Sequence, residues 1–74
     1  MKQYTLKQLR LKSKMTQEDV AKSAGITKDY VSMLERGERR PSDKLKDVLA
    51  NIYNVDSVQI FLATQRTIST IKGG

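Results

Sequence analysis

Arginine is the residue whose type and spacing point most directly to a chemistry in this sequence. Arg36, Arg39 and Arg40 cluster in one short stretch, and a guanidinium group can bind a phosphate through two parallel hydrogen bonds. The whole chain carries a formal net charge of +6 and has a pI of about 9.8, which favours a polyanionic partner. A basic surface that only keeps the protein dissolved explains the charge equally well. The sequence motifs must therefore distinguish between a polyanionic partner and a solubilising surface.

Side chains for catalysis or metal binding are scarce. The sequence contains no cysteine and no histidine, which excludes disulfides, thiolate metal sites and the usual general base and zinc ligand. No pair of acidic residues is placed where a catalytic pocket would be expected. We therefore expect a protein that is not an enzyme and that needs no metal, cofactor or small-molecule substrate.

The length and hydropathy of the chain limit the number of domains and the cellular location that we expect. At 74 residues the chain should form one small domain with a thin core and a small stability margin. No apolar run approaches the ~18 residues that a membrane-spanning helix needs, and no signal peptide is visible. These features predict a cytoplasmic protein that does not bind membranes.

The stretch from Gln17 to Arg36 predicts two short helices joined by a tight turn at Gly25. Thr16 and Thr27 stand where each helix needs an N-cap, and glycine readily takes the positive φ that such a turn requires. Apolar residues recur at helical spacing on one face of each helix: Val20, Ala21, Ala24, Val31 and Leu34. Ile26 lies in the turn, where it can close the seam between the helices.

This arrangement resembles the helix-turn-helix of the Cro and repressor family of phage and bacterial regulators, often called XRE-type. The matching residues are Thr16, Gln17, Val20, Ala21, Ala24, Gly25, Ile26, Val31, Leu34, Glu35, Arg36 and Gly37. The resemblance continues through Pro41 and covers about residues 6 to 62. It implies an all-α, five-helix bundle of the lambda-repressor-like DNA-binding type, with the helix-turn-helix formed by helices 2 and 3.

Further helices are predicted on both sides of this unit. The first runs to about Lys14 and begins with a capping box of Thr5 and Gln8. The fourth, capped by Ser42, carries an apolar stripe that we expect in the core: Leu45, Val48, Leu49, Ile52 and Tyr53. Gly37 and Asn54 suit the left-handed positions that end helices 3 and 4.

A short fifth helix should follow Asp56. We expect Val58, Phe61 and Leu62 to face inward or toward a partner, and Ile60 to point another way. From Thr64 onward the pattern lapses, so residues 1–63 are the predicted DNA-binding domain and residues 64–74 a tail. A flexible tail is favoured for that segment, and a short strand that forms a dimer is the alternative.

The resemblance also implies roles for individual residues on the recognition helix and around it. The residues expected to contact DNA bases are Thr27, Lys28, Asp29, Ser32 and Met33. Those expected to contact DNA phosphates are Gln17, Arg36, Arg39, Arg40 and Lys44. Each could instead be an ordinary exposed residue, and Met33 could belong to the core. Lys2 and Lys7 could also lie beside a DNA backbone or simply be solvated.

A structural ion pair is a further implication. In relatives, an arginine of helix 1 often pairs with the glutamate before the Arg-Gly ending of helix 3, and here these residues are Arg10 and Glu35. Both are polar at positions that point inward. We expect a partly buried pair that supports the fold and does not contact DNA.

These observations predict a sequence-specific regulator of transcription that binds double-stranded DNA, most readily a repressor that occupies promoter DNA. It should act as a homodimer, with Val58 and Ile60 as dimer contacts, in a bacterial or phage-encoded, nucleoid-associated setting. An antitoxin-type regulator that also binds a toxin protein is the nearest alternative. A protein-interaction module on the same fold is another, although the basic residues at phosphate-facing positions argue against it.

Overall fold

The computed structural model describes residues 4–72, with side chains described as far as Gln65. These residues form helices and turns and contain no strand. The helices are α1 (Leu6–Lys12), α2 (Gln17–Ala24), α3 (Lys28–Glu35), α4 (Asp43–Tyr53) and α5 (Ser57–Lys72). The predicted all-α fold with five helices is therefore confirmed.

Each of the helices α1 to α4 begins with a hydroxyl cap. The caps are Thr5, Thr16, Thr27 and Ser42. Each side-chain oxygen accepts a hydrogen bond of 3.0 to 3.2 Å from the backbone N–H three residues later. Such a cap satisfies a donor that the helix itself leaves unpaired and typically contributes about 1 kcal/mol.

The same four helices end in one kind of turn. A residue with a positive φ, between 57° and 77°, lies one or two positions after each C-terminus. Gly25 and Asn54 directly follow α2 and α4, and Lys14 and Gly37 are the second residues after α1 and α3. In each turn the next residue's N–H donates to the carbonyl oxygen five residues before it, at 2.9 to 3.2 Å. This bond closes the helix end and redirects the chain into the next helix. Gly37 and Asn54 occupy the left-handed positions that the sequence predicted, whereas Lys14 was not expected there.

One core joins all five helices. Its buried apolar residues are Leu6, Leu9, Val20, Ala21, Val31, Leu34, Leu45, Leu49, Ala50, Tyr53, Ile60 and Ala63. The small Ala21 is buried on α2, where α2 packs against both α3 and α4. The turn between α2 and α3 is thus fixed from behind by the core, and its outer side is left open.

The inward face of α5 differs from the prediction. Ile60 is completely buried, with 0% of its surface exposed, whereas Val58 is 62% exposed and Phe61 46% exposed. Ile60, Ala63 and Thr64 share one face of a helix because they are three and four residues apart, and that face packs inward. The expectation that Ile60 points away from the core was wrong, so Ile60 is not accessible for a dimer contact in this fold.

The length of α5 also differs from the prediction. The helix continues to Lys72, across the segment for which a flexible tail or a strand was expected. The buried hydroxyl of Thr64 donates to the carbonyl oxygen of Ile60 at 3.0 Å, which satisfies a polar group inside the helix. The β-branched residues of this segment favour strands, and this preference concealed the helix in the sequence.

Candidate nucleic-acid interface

The side chains predicted to contact bases belong to α3 and to its N-cap residue, Thr27. Thr27, Lys28 and Asp29 are exposed, and Ser32 and Met33 are half-buried. Thr27 Oγ1 accepts the Tyr30 N–H at 3.0 Å, so its hydroxyl hydrogen is free to donate. Thr27, Lys28 and Asp29 therefore lie together at the N-terminal end of α3, and Ser32 and Met33 lie about one turn further along the helix.

The residues predicted to contact phosphate lie around the two ends of the helix-turn-helix. Arg36, Arg39, Arg40 and Lys44 are exposed, and Gln17 is half-buried at the first position of α2. Lys44 lines a groove with Ile26 of the α2–α3 turn and Tyr30 of α3. The start of α4 is thus placed beside the helix-turn-helix.

Glu35 joins three helices at the back of this surface. Arg10 Nε donates to Glu35 Oε2 at 2.6 Å, and Arg10 Nη2 donates to Glu35 Oε1 at 3.2 Å. Arg10 Nη1 also donates to the Met15 carbonyl oxygen at 3.0 Å. The two side chains are 10% and 6% exposed, so the predicted pair is present and is more buried than expected.

Gln17 takes part in the same network, which the sequence did not predict. Its Nε2 donates to Glu35 Oε1 at 3.1 Å. An amide NH₂ group has two hydrogens, so Gln17 can bind Glu35 and still donate to a phosphate. Glu35 therefore fixes the side chain at the N-terminus of α2 by a contact from the end of α3.

Two side chains of this region, Arg10 and Tyr53, have raised pKa values, for different reasons. Hydrogen bonding to Glu35 raises the pKa of Arg10, against the opposite effect of its burial. Burial, with a smaller contribution from the negative charge of Glu35, raises the pKa of Tyr53 to about 12. Arg10 therefore stays protonated, and Tyr53 stays neutral at physiological pH.

Arg36, at the end of α3, has partners that the sequence did not reveal. Its Nε donates to Glu38 Oε2 at 2.7 Å and its Nη2 to Glu38 Oε1 at 3.1 Å. Its Nη1 donates to the Ser32 hydroxyl oxygen. The hydrogen bond from Arg36 lowers the pKa of Glu38. The pair spans Gly37, and only the geometry of that turn shows that the two side chains meet.

Comparison of the sequence with known protein families gives a match. A family described as helix-turn-helix matches residues 6–60, which is more than half of the chain. The chain belongs to the XRE-type helix-turn-helix family.

Two relatives illustrate the similarity of this helix-turn-helix protein to others. An uncharacterised HTH-type transcriptional regulator of Archaeoglobus fulgidus is 37% identical over 57 residues, which are 77% of this chain and 80% of the relative. The uncharacterised HTH-type transcriptional regulator YqaF of Bacillus subtilis is 51% identical over 37 residues, 50% of this chain and 49% of the relative. The protein is thus assigned to the DNA-binding regulators of transcription.

The described residues contain no group of three or more acidic side chains that could hold a metal ion. None of the described helices has the length and hydropathy that crossing a lipid bilayer requires. Lys2 lies outside the described residues, and Lys7 is exposed on α1.

Proposed function

We propose that the protein is a sequence-specific repressor that places α3 in the major groove of promoter DNA. The observation that carries this proposal is the exposed first turn of α3, which stands between exposed basic side chains. In helix-turn-helix proteins of this kind the second helix of the motif reads base edges with the residues near its N-terminus. The core behind the α2–α3 turn holds α3 in place for that contact.

The side chains of α3 and its N-cap would each contact the DNA bases in a way that depends on their chemistry. Lys28 can donate to guanine O6 and N7, and Asp29 can accept from a cytosine amino group. Thr27, whose oxygen already caps α3, is suited to donate to a base or a phosphate. Ser32 and the half-buried Met33 would add a hydroxyl and an apolar contact, the latter to a thymine methyl group.

Phosphate contacts would come from both sides of α3. Gln17 has a second amide hydrogen beyond its bond to Glu35, and it stands at the N-terminus of α2, where the helix dipole favours an anion. Arg39, Arg40 and Lys44 are exposed and suit a phosphate by charge. These contacts would supply affinity for any duplex and fix the register of α3.

The active species on DNA is proposed to be a homodimer of a bacterial or phage-encoded protein that is associated with the nucleoid in the cytoplasm. The exposed face of α5 supplies an apolar surface for this, since Val58 and Phe61 are well exposed. The same surface supports the second candidate function, an antitoxin-type regulator, because a toxin protein could bind there. Co-purification with a different protein would favour the antitoxin.

Selection of bound sequences from a random duplex pool at a stated salt concentration tests the proposal. Recovery of one enriched motif supports sequence-specific binding, and recovery of no motif opposes it. Arg40→Ala should then weaken binding to cognate and random DNA alike and reduce the log–log salt slope by about 1. Lys12→Ala, which removes the same charge from α1, should leave the slope nearly unchanged.

Lys28→Ala separates base reading from charge. It should relax the preference at one position of the motif, at a cost of about 1–3 kcal/mol on the cognate sequence. If Lys28→Ala and Arg40→Ala weaken cognate and random DNA to the same extent, the assigned roles are wrong.

A further inference from the structure

The turn after α3 differs from its three counterparts in one residue. After α1, α2 and α4 the left-handed residue is followed by an apolar one: Met15, Ile26 and Val55. All three pack against the core, as is usual at this position of such a turn. After α3 the corresponding residue is Glu38, which is exposed.

The backbone hydrogen bonds of this turn fix the position of Glu38. Gly37 has a φ of 77°, and the Glu38 N–H donates to the Met33 carbonyl oxygen at 2.9 Å. The Gly37 N–H donates to the Leu34 carbonyl oxygen at 3.2 Å. The chain therefore folds back against the end of α3, and the Glu38 carboxylate comes to lie beside Arg36.

The contact between these two side chains has the geometry of a phosphate contact. Both carboxylate oxygens of Glu38 accept from the Arg36 guanidinium, at 2.7 and 3.1 Å. A phosphate binds arginine through the same two parallel bonds. The remaining nitrogen, Nη1, donates to Ser32, so all three nitrogens of Arg36 are engaged in the free protein.

We propose that Glu38 is an internal competitor of DNA, because its carboxylate occupies the two nitrogens of Arg36 that a backbone phosphate would bind. The inference rests on the proposed DNA-binding function. Glu38 lowers the affinity of the protein for duplex DNA, because the phosphate must displace the carboxylate before Arg36 can bind it.

A purely structural role accounts less well for the pair. The two side chains are 55% and 53% exposed, and exposed ion pairs contribute little to the stability of a fold. The turns after α1, α2 and α4 are closed by an apolar residue that packs on the core. An apolar residue in place of Glu38 would stabilise the turn after α3 more than the exposed charged pair does. A carboxylate at this position is therefore better explained by what it does to Arg36.

Glu38→Gln tests the proposal in the full chain, with binding to one cognate and one random duplex measured at one salt concentration. The expected result is binding about two- to fivefold tighter on both, the range set by the modest strength of an exposed pair. Asp56→Asn is the matched control. It removes the same charge before α5, where asparagine caps a helix as well as aspartate. Asp56→Asn should therefore tighten binding to DNA clearly less than Glu38→Gln does.

The same substitution in an Arg36→Ala background separates competition from other effects. Glu38→Gln should then give no tightening beyond that of Asp56→Asn, because Arg36 is no longer there to be released. Equal effects of Glu38→Gln with and without Arg36, equal effects of Glu38→Gln and Asp56→Asn, or weaker binding by Glu38→Gln would each overturn the proposal. If the unaltered protein binds neither duplex, the proposed function itself fails, which is a separate outcome.

Discussion

Glu35 connects α1, α2 and α3 through one carboxylate group. Its carboxylate accepts from Arg10 on α1 and from Gln17 on α2 while belonging to α3 itself. Since the Arg10 and Glu35 side chains are only 10% and 6% exposed, removal of one leaves the other buried with too few partners. Such a loss costs far more than the pair contributes over an apolar replacement.

Arg10→Met should therefore lower the free energy of unfolding by about 3–5 kcal/mol, a large part of the stability of a small domain. Urea unfolding measures this loss. Arg36→Met is the matched control, because the Arg36–Glu38 pair is exposed and its loss should cost much less than the loss of the buried pair. Equal losses in the two variants, or no coupling energy between Arg10 and Glu35 in a double-mutant cycle, would contradict this account.

Tyr53 makes the stability depend on alkaline pH. Its folded-state pKa is about 12, above the value of about 10 that an unfolded chain has. Below pH 10 the side chain is neutral in both states, so its contribution is fully present. Between about pH 10 and 12 the unfolded state loses the proton first, and the free energy of unfolding should fall by up to about 3 kcal/mol.

Urea unfolding at pH 9 and pH 11 samples about half of that fall, roughly 1.4 kcal/mol. Tyr53→Phe should reduce the difference between the two values, because phenylalanine does not titrate. An unchanged difference in Tyr53→Phe would show that other groups cause the alkaline loss.

At the scale of helices, the sequence predicts starts and ends better than it predicts faces. Thr5, Thr16 and Ser42 cap helices in the structure because a cap depends on residues within three positions of it. The inward face of α5 depends on how the whole helix lies on the core. Ile60 and Val58 are both apolar, and nothing local to them distinguishes the buried residue from the exposed one.

The turn after α1 contains backbone strain at Lys14, which the sequence did not reveal. Lys14 has a φ of 58°, a conformation that costs a residue with a Cβ roughly 1–2 kcal/mol. Lys14→Gly should relieve this cost, less the extra chain entropy of glycine. The net gain in the free energy of unfolding should be about 0.5–1 kcal/mol, seen as a melting temperature higher by a few degrees.

Two controls isolate the backbone effect at Lys14. Lys14→Ala removes the charge and keeps the strain, so it should give no gain. Lys22→Gly places the same substitution inside α2 and should cost about 1 kcal/mol. A melting temperature that falls in Lys14→Gly would refute the strain at this turn.

At the scale of the whole molecule, the size of the domain limits how much DNA it can read. One helix-turn-helix contacts only a few base pairs, too few to select one site among a genome's many competing sites. Two copies bound to one face of the duplex would read half-sites about one helical turn apart, ~34 Å. This consideration supports the proposed homodimer and requires an accessible contact surface between the copies.

The burial of Ile60 moves the proposed contact to the other face of α5. Val58 is 62% exposed, and Phe61, 46% exposed, lies under the Lys46 ammonium group, with Nζ 5.2 Å from the ring centroid. Phe61 therefore already has a partner within the chain. Val58 remains the cleaner position at which to test the surface.

Val58→Glu should leave the melting temperature nearly unchanged and weaken binding to DNA with two half-sites, because a charge would then enter an apolar contact. Binding to DNA with a single half-site should change much less. Asn51→Glu adds the same charge at an exposed position of α4 and should affect both DNAs only slightly. Ile60→Glu should instead unfold the protein, since it buries a charge at a cost of about 4 kcal/mol or more. Equal losses on the two DNAs with Val58→Glu, or footprints that cover one half-site, would contradict a dimer formed through this face of α5.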